Sequence, residues 1–176
     1  MANISAITFS FFLPLYINEL GSKLGEDSSV IVGLAFSIAA MAEIPCMIYL
    51  GALSDKIGRK PLIVVALLVY PLRLFLYTVV SHPYLILPIQ LLHGLTFGVL
   101  YVASVAFVSD IAPESRGTAL GLYNATSSAG SAAGSGLAGI ISGNYGLIIM
   151  HQFLTVFSFL PALLFTVMAK ESLKKR

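Results

Sequence analysis

Six apolar runs, joined by short connections of 3 to 11 residues, occupy most of this chain: 4–18, 30–53, 61–80, 84–108, 118–142 and 147–169. About 20 apolar residues in a helix cross the hydrocarbon core of a bilayer, so runs of this kind point to a membrane protein. Lipid offers no partner to a backbone N–H or C=O, and the runs are therefore expected to be α-helices. A composition that is 57% hydrophobic and 10% charged excludes a soluble domain. The expected fold is all-α and integral to the membrane, one domain of six transmembrane helices over residues 1–176 with a basic tail at 170–176. Membrane lipid is the first partner implied. A net charge of +2 makes no case for nucleic acid, and the single Cys46 leaves no disulfide framework or cysteine cluster. Neither a cofactor nor a metal is expected.

The turn between the second and third runs reads Gly51-Ala-Leu-Ser-Asp-Lys-Ile-Gly-Arg-Lys60. Gly58 permits a tight reversal there, and Pro61 suits the first turn of the next helix. Asp55 closes a helix at the end where the macrodipole disfavours an anion, so it needs a cation, either Arg59 or Arg116. The turn between the fourth and fifth runs repeats this arrangement, with Asp110 closing one helix and Arg116 opening the next. Basic residues lie on one side: Lys56, Arg59, Lys60, Arg116, Lys170, Lys174, Lys175 and Arg176, against Lys23 alone in the opposite loops. The positive-inside rule then places both termini in the cytoplasm of a multi-pass cell-membrane protein. The first run is short and has no basic residue before it, which argues against a signal peptide. It reads as the start of a chain cut from a longer one, or as a tilted first helix.

Pro14, Pro45, Pro71, Pro88 and Pro161 fall inside runs. Each removes a backbone hydrogen bond, as expected in a bundle whose cavity or neighbouring helices satisfy the freed carbonyl. The fifth run carries two rows of small residues at four-residue spacing, one through Gly139 and Gly143, the other through Gly130 and Gly134. Such rows are expected to pack closely on a partner helix.

Charge within the membrane is costly and marks function. Glu43 lies about 15 Å, and Arg73 about 18 Å, from the charged ends of the second and third runs, at 1.5 Å per residue. The two are expected to pair, with His93 of the fourth run at the same level. An imidazole titrates near neutral pH and a carboxylate paired with arginine can be released by substrate, so the three are candidates for substrate binding and coupling.

The pattern Gly-x-Leu-x-Asp-x-x-Gly-Arg-Lys, met at Gly51, Leu53, Asp55, Gly58, Arg59 and Lys60, resembles the signature between the second and third helices of each half of major facilitator superfamily transporters. The resemblance implies a six-helix half of a twelve-helix transporter and a cytoplasmic gate built on Gly51, Asp55, Gly58, Arg59, Lys60, Asp110 and Arg116. An acid, an arginine and a histidine on successive helices resemble the C-terminal half of lactose-permease-like proton symporters. The stretch Gln90-Leu-Leu-His-Gly-Leu-Thr-Phe-Gly98 is similar to the tenth helix of the phenylpropionate-transporter-like group. This chain departs from lactose permeases at Thr96, where they carry a carboxylate, which leaves coupling to His93 or Glu43. The implied function is transport of a small solute (a sugar, nucleoside or aromatic acid) by alternating access, with a second six-helix half or a second copy as partner. Two other readings remain open on sequence. One is a transport-inactive fragment or assembly partner; the other is an intramembrane serine protease with a Ser135–His151 dyad.

Overall fold

The computed structural model describes residues 2–25 and 27–173, with side chains from residue 11 onward. Every regular element among these residues is helical: α1 Ala2–Leu24, α2 Ser29–Ile57, α3 Arg59–Thr78, α4 Ile86–Ile89, α5 Val99–Ile111, α6 Arg116–Tyr145 and α7 Leu147–Met168. Four segments are long and apolar enough to cross a membrane, namely α2, α3, the composite Pro83–Ile111 and α7. The helix α6, rich in glycine, serine and alanine, is not among them, nor is α1. Large apolar side chains such as Met41, Ile48, Val65, Phe75, Val156 and Val167 are at least half exposed, an outside that water would not tolerate over so many residues but lipid does.

The composite segment is the irregular one. A 3₁₀ turn at Pro83–Leu85 leads into α4, and a π-helical turn at Gly94–Gly98 precedes α5. Pro88 lies at this irregular stretch, whereas Pro14, Pro45, Pro71 and Pro161 lie inside unbroken helices. The helix α3 packs along α7 and α5, and α1 lies against α6. A large apolar cluster that includes Leu13, Tyr16, Ile31, Leu74, Tyr77, Ile86 and Met150 fills the end of the bundle remote from Arg59. Near Arg59 the apolar contacts divide into two small groups, one around Ile63, Leu67 and Ala162 and one around Leu62 and Ala66. The apolar packing is therefore continuous at one end and divided at the other.

The small residues of α6 divide between buried and exposed positions. Ser131, Gly134 and Ala138 are buried and Gly130 is half-buried, but Gly139 and Gly143 are exposed, and a Cβ added at either meets nothing within 4 Å. The cause is helical phase. With 3.6 residues per turn, a row at four-residue spacing drifts about 40° per step, so Gly139 and Gly143 stand roughly 80° and 120° around the helix from the buried Ser131.

Candidate functional site

The centre of the bundle holds Arg73, almost completely buried at 2% exposure. Its Nε donates to the Tyr77 hydroxyl at 3.0 Å, Nη2 to Gln90 Oε1 at 2.6 Å, and Nη1 meets His93 Nδ1 at 2.8 Å and Thr96 Oγ1 at 3.4 Å. A guanidinium has only donors, so His93 Nδ1 accepts, and the neutral ring carries its proton on Nε2. That nitrogen lies 3.6 Å from Glu43 Oε2, beyond hydrogen-bond length. Phe97 stacks on the imidazole with ring centroids 5.3 Å apart.

Glu43, His93 and Arg73 thus come together, but not as the direct Glu43–Arg73 pair expected from their matching depths. The imidazole stands between acid and base. The close approach of α2 to the π turn produces this order. A Cβ on Gly94 would lie 2.3 Å from the Ala42 carbonyl oxygen, and one on Gly98 would lie 3.2 Å from Glu43 Cγ. Only glycines let the two backbones come this near, which brings His93 against Glu43 and leaves Arg73 behind it. Gln90 and Thr96, noted in the sequence only for the resemblance, and Tyr77, not noted at all, supply the acceptors that hold Arg73. A cavity of about 150 Å³ borders the cluster, lined by Leu13, Phe36, Ala39, Ala40, Glu43, Gln90 and His93.

A second polar cluster closes the opposite end of α3. Arg59, 8% exposed, binds Asp55 Oδ1 and Ser54 Oγ through Nη1, and Asp110 Oδ2 through Nε at 3.1 Å. The sequence offered Arg59 or Arg116 as the cation for Asp55 and set Asp55/Arg59 and Asp110/Arg116 as two similar elbows. Instead one guanidinium holds both aspartates and Arg116 is exposed, because α5 ends beside the start of α3 while Arg116 lies beyond a turn, on α6. Gly51 sits where α2 meets α5, a Cβ there lying 3.0 Å from Val102.

The residue the sequence did not reveal is Glu171. Beyond α7 the chain turns back, and this carboxylate accepts from the backbone N–H groups of Arg59 at 2.9 Å and Lys60 at 3.1 Å, capping the positive end of α3. Ser172 reaches Asp110 at 3.4 Å. Partial burial pushes Glu171 upward, but the N–H bonds from Leu173, Arg59 and Lys60 outweigh it and hold the acid below its ordinary value. Gly58 is required here twice over: its φ is +111°, and a Cβ would lie 2.3 Å from Glu171 Oε2. Of the expected basic tail, Lys174, Lys175 and Arg176 lie outside the described residues.

Glu171→Ala is expected to lower the melting temperature of the detergent-solubilised chain by a few degrees, the equivalent of about 1 kcal/mol for a lost cap. Because the folded-state value is depressed, this stabilisation is present above the ordinary glutamate range and is lost as pH falls through the depressed value. Melting curves of parent and variant should therefore converge only at acidic pH. Equal stability at neutral pH would remove Glu171 from the account.

The protease geometry is absent. His151 is fully buried, its Nδ1 on the Leu147 carbonyl oxygen at 2.7 Å and its ring against Tyr16 and Tyr77. Ser135 is half-buried on α6 and makes no hydrogen bond to it. Among the described residues no group of three or more His, Cys, Asp or Glu could hold a metal.

Comparison with known sequences decides the family, since residues 1–176 match the family model of the Major Facilitator Superfamily. The chain belongs to that superfamily. It is 28% identical over 160 residues to the multi-drug resistance efflux pump PmrA of Streptococcus pneumoniae, a stretch that is 91% of this chain and 40% of that protein. It is 32% identical over 149 residues to the staphyloferrin B transporter of Staphylococcus aureus, covering 84% of this chain and 35% of that one. With sugar efflux transporter A of Dickeya chrysanthemi it shares 29% identity over 131 residues, 74% of this chain and 32% of the relative. This superfamily member thus spans less than half the length of these relatives. It is a multi-pass membrane protein of a family of transporters, not of enzymes.

Proposed function

We propose that this chain is one six-helix half of a secondary transporter that moves a small solute across the cell membrane by alternating access. The observation that carries the reading is the Arg73–His93–Glu43 cluster. It sets an ionisable relay beside a cavity at mid-depth, where transporters of two halves bind substrate. The Arg59 cluster would act as the cytoplasmic gate, tying the ends of α2, α3 and α5 together until the halves rock apart. Both termini would lie in the cytoplasm on the strength of the basic residues. The opposite wall of the site would come from a second half, either another polypeptide or a second copy.

The tautomer argument bears on coupling. A second proton on His93 would replace the acceptor facing Arg73 with a donor facing a cation. Glu43, whose carboxylate meets the cavity, is therefore the better carrier of a transported proton, and His93 its link to Arg73.

Glu43→Gln should abolish flux of a multidrug dye or a radiolabelled sugar in cells expressing the chain, while membrane insertion stays at the parental level. Parental flux in that variant would overturn the role of the cluster, and no flux in the parent itself would favour a transport-inactive assembly partner. Native mass spectrometry of the purified chain separates the two partner arrangements: a homodimer means self-complementation, a monomer means a separate second half.

A further inference from the structure

Arg73 places a positive charge in the bundle, yet it has none to offer a ligand. All three of its nitrogens are committed to Tyr77, His93, Thr96 and Gln90, and the residue is 2% exposed. The charge that meets the cavity is the Glu43 carboxylate, whose side chain is 24% exposed. A second residue that lines the same cavity carries a buried polar atom without a partner. Gln90 is fully buried, and its Oε1 must be the atom facing Arg73, because a guanidinium cannot accept. The amide orientation is thereby fixed, and Nε2 remains a donor with no hydrogen-bond partner in the structure. A buried donor of this kind is costly unless something occupies it.

From these two groups we propose the substrate class: a cationic amine that carries an oxygen acceptor next to the ammonium, an amino alcohol or amino sugar in chemical terms. The ammonium binds Glu43, the oxygen accepts from Gln90 Nε2, and the hydrocarbon beyond lies on Leu13 and Phe36. The cavity holds roughly five waters' worth of volume at ~30 Å³ each, enough for such a head group and too little for a whole drug-sized molecule. The remainder of the substrate projects toward the second half. Anions are disfavoured, since they would meet the carboxylate and find no free cation. Of the solutes the family resemblance suggested, aromatic acids are therefore the poorest fit. This inference rests on the transport reading for the site's role, but it concerns which ligand the site accepts.

The test uses three matched probes on the full chain in lipid nanodiscs: 2-amino-1-phenylethanol, 2-phenylethylamine and mandelate. The amino alcohol is expected to bind at least tenfold more tightly than the amine lacking the hydroxyl, and mandelate not to saturate. Glu43→Gln should weaken the amino alcohol at least tenfold. Gln90→Leu should erase the advantage of the hydroxyl, but it also strips Arg73 of an acceptor and can fail to fold. The comparison of the two amines on the unmodified chain tests the same hydrogen bond without it. Mandelate binding as tightly as the amino alcohol, amine binding unchanged in Glu43→Gln, or no binding by any probe would each overturn the proposal. Dye or sugar flux that depends on Glu43 alongside any of those results would leave the transport reading standing. Amino-alcohol binding through Glu43 with no flux of any solute would uphold the site and remove the transport role.

Discussion

Arg73→Leu is expected to be the most damaging single substitution in this chain. It takes the guanidinium donor from Gln90 Oε1 and the Tyr77 hydroxyl, which are fully buried, and from His93 Nδ1, which is half-buried. Each buried polar group left unsatisfied costs about 1–3 kcal/mol, and breaking a buried charge network typically costs about 3–5 kcal/mol in all. Set against a usual folding stability of about 5–15 kcal/mol, that loss should show as a collapse in monodisperse yield and a much lower melting temperature in detergent. Arg73→Lys should recover only part of it. An ammonium keeps the charge but cannot present the planar fork that reaches Tyr77, His93 and Gln90 together. Glu43→Gln supplies the contrast. Its contact to His93 at 3.6 Å is no hydrogen bond, so it should remove flux while leaving the melting temperature near that of the parent. If Arg73→Leu melted with the parent chain, the cluster would be peripheral to the fold and the imidazole would lose its fixed tautomer.

That contrast also marks how far the sequence could be read. The helices do not follow the apolar runs residue for residue: α2 extends to Ile57 and α6 spans Arg116–Tyr145, beyond the runs at 30–53 and 118–142. Hydropathy reports where lipid is, whereas a helix continues until a cap or a glycine stops it, as Gly58 and Gly146 do here with φ of +111° and +87°. Residue counting put Glu43, Arg73 and His93 at similar depths, and the three side chains do lie together. Their order did not follow, because depth along a helix says nothing about which pair of helices touches. The partner of Asp110 was hidden for the same reason: Arg59 is 51 residues away in sequence. Glu171 was less visible still. A glutamate in a basic tail carries no signal of its own, and only the return of the chain toward α3 gives it a role.

The contact that fixes the order of the cluster can be tested directly. Gly94→Ala adds a Cβ at 2.3 Å from the Ala42 carbonyl oxygen and 2.7 Å from Cys46 Sγ. The nearer atom is backbone within α2 and cannot swing aside, so α2 and the π turn must separate by about 1 Å to restore an ordinary contact distance. Overpacking of this kind costs about 1–3 kcal/mol, and a displacement of ~1 Å at a working site can lower a rate by about 100-fold. Flux should therefore fall much further than stability. Adding Cys46→Ala should not rescue it, since the carbonyl contact remains. Gly139→Ala provides the opposite case on α6, where a Cβ meets nothing within 4 Å. There alanine should be neutral or stabilise by roughly 0.5–1 kcal/mol through helix propensity alone. Were the two alanine variants alike, the approach of α2 to the π turn would not be what holds Glu43 against His93. A crippled Gly94 variant beside a healthy Gly139 variant would tie the site to that one contact, and so to the choice of glycine at a position where periodicity showed only another small residue.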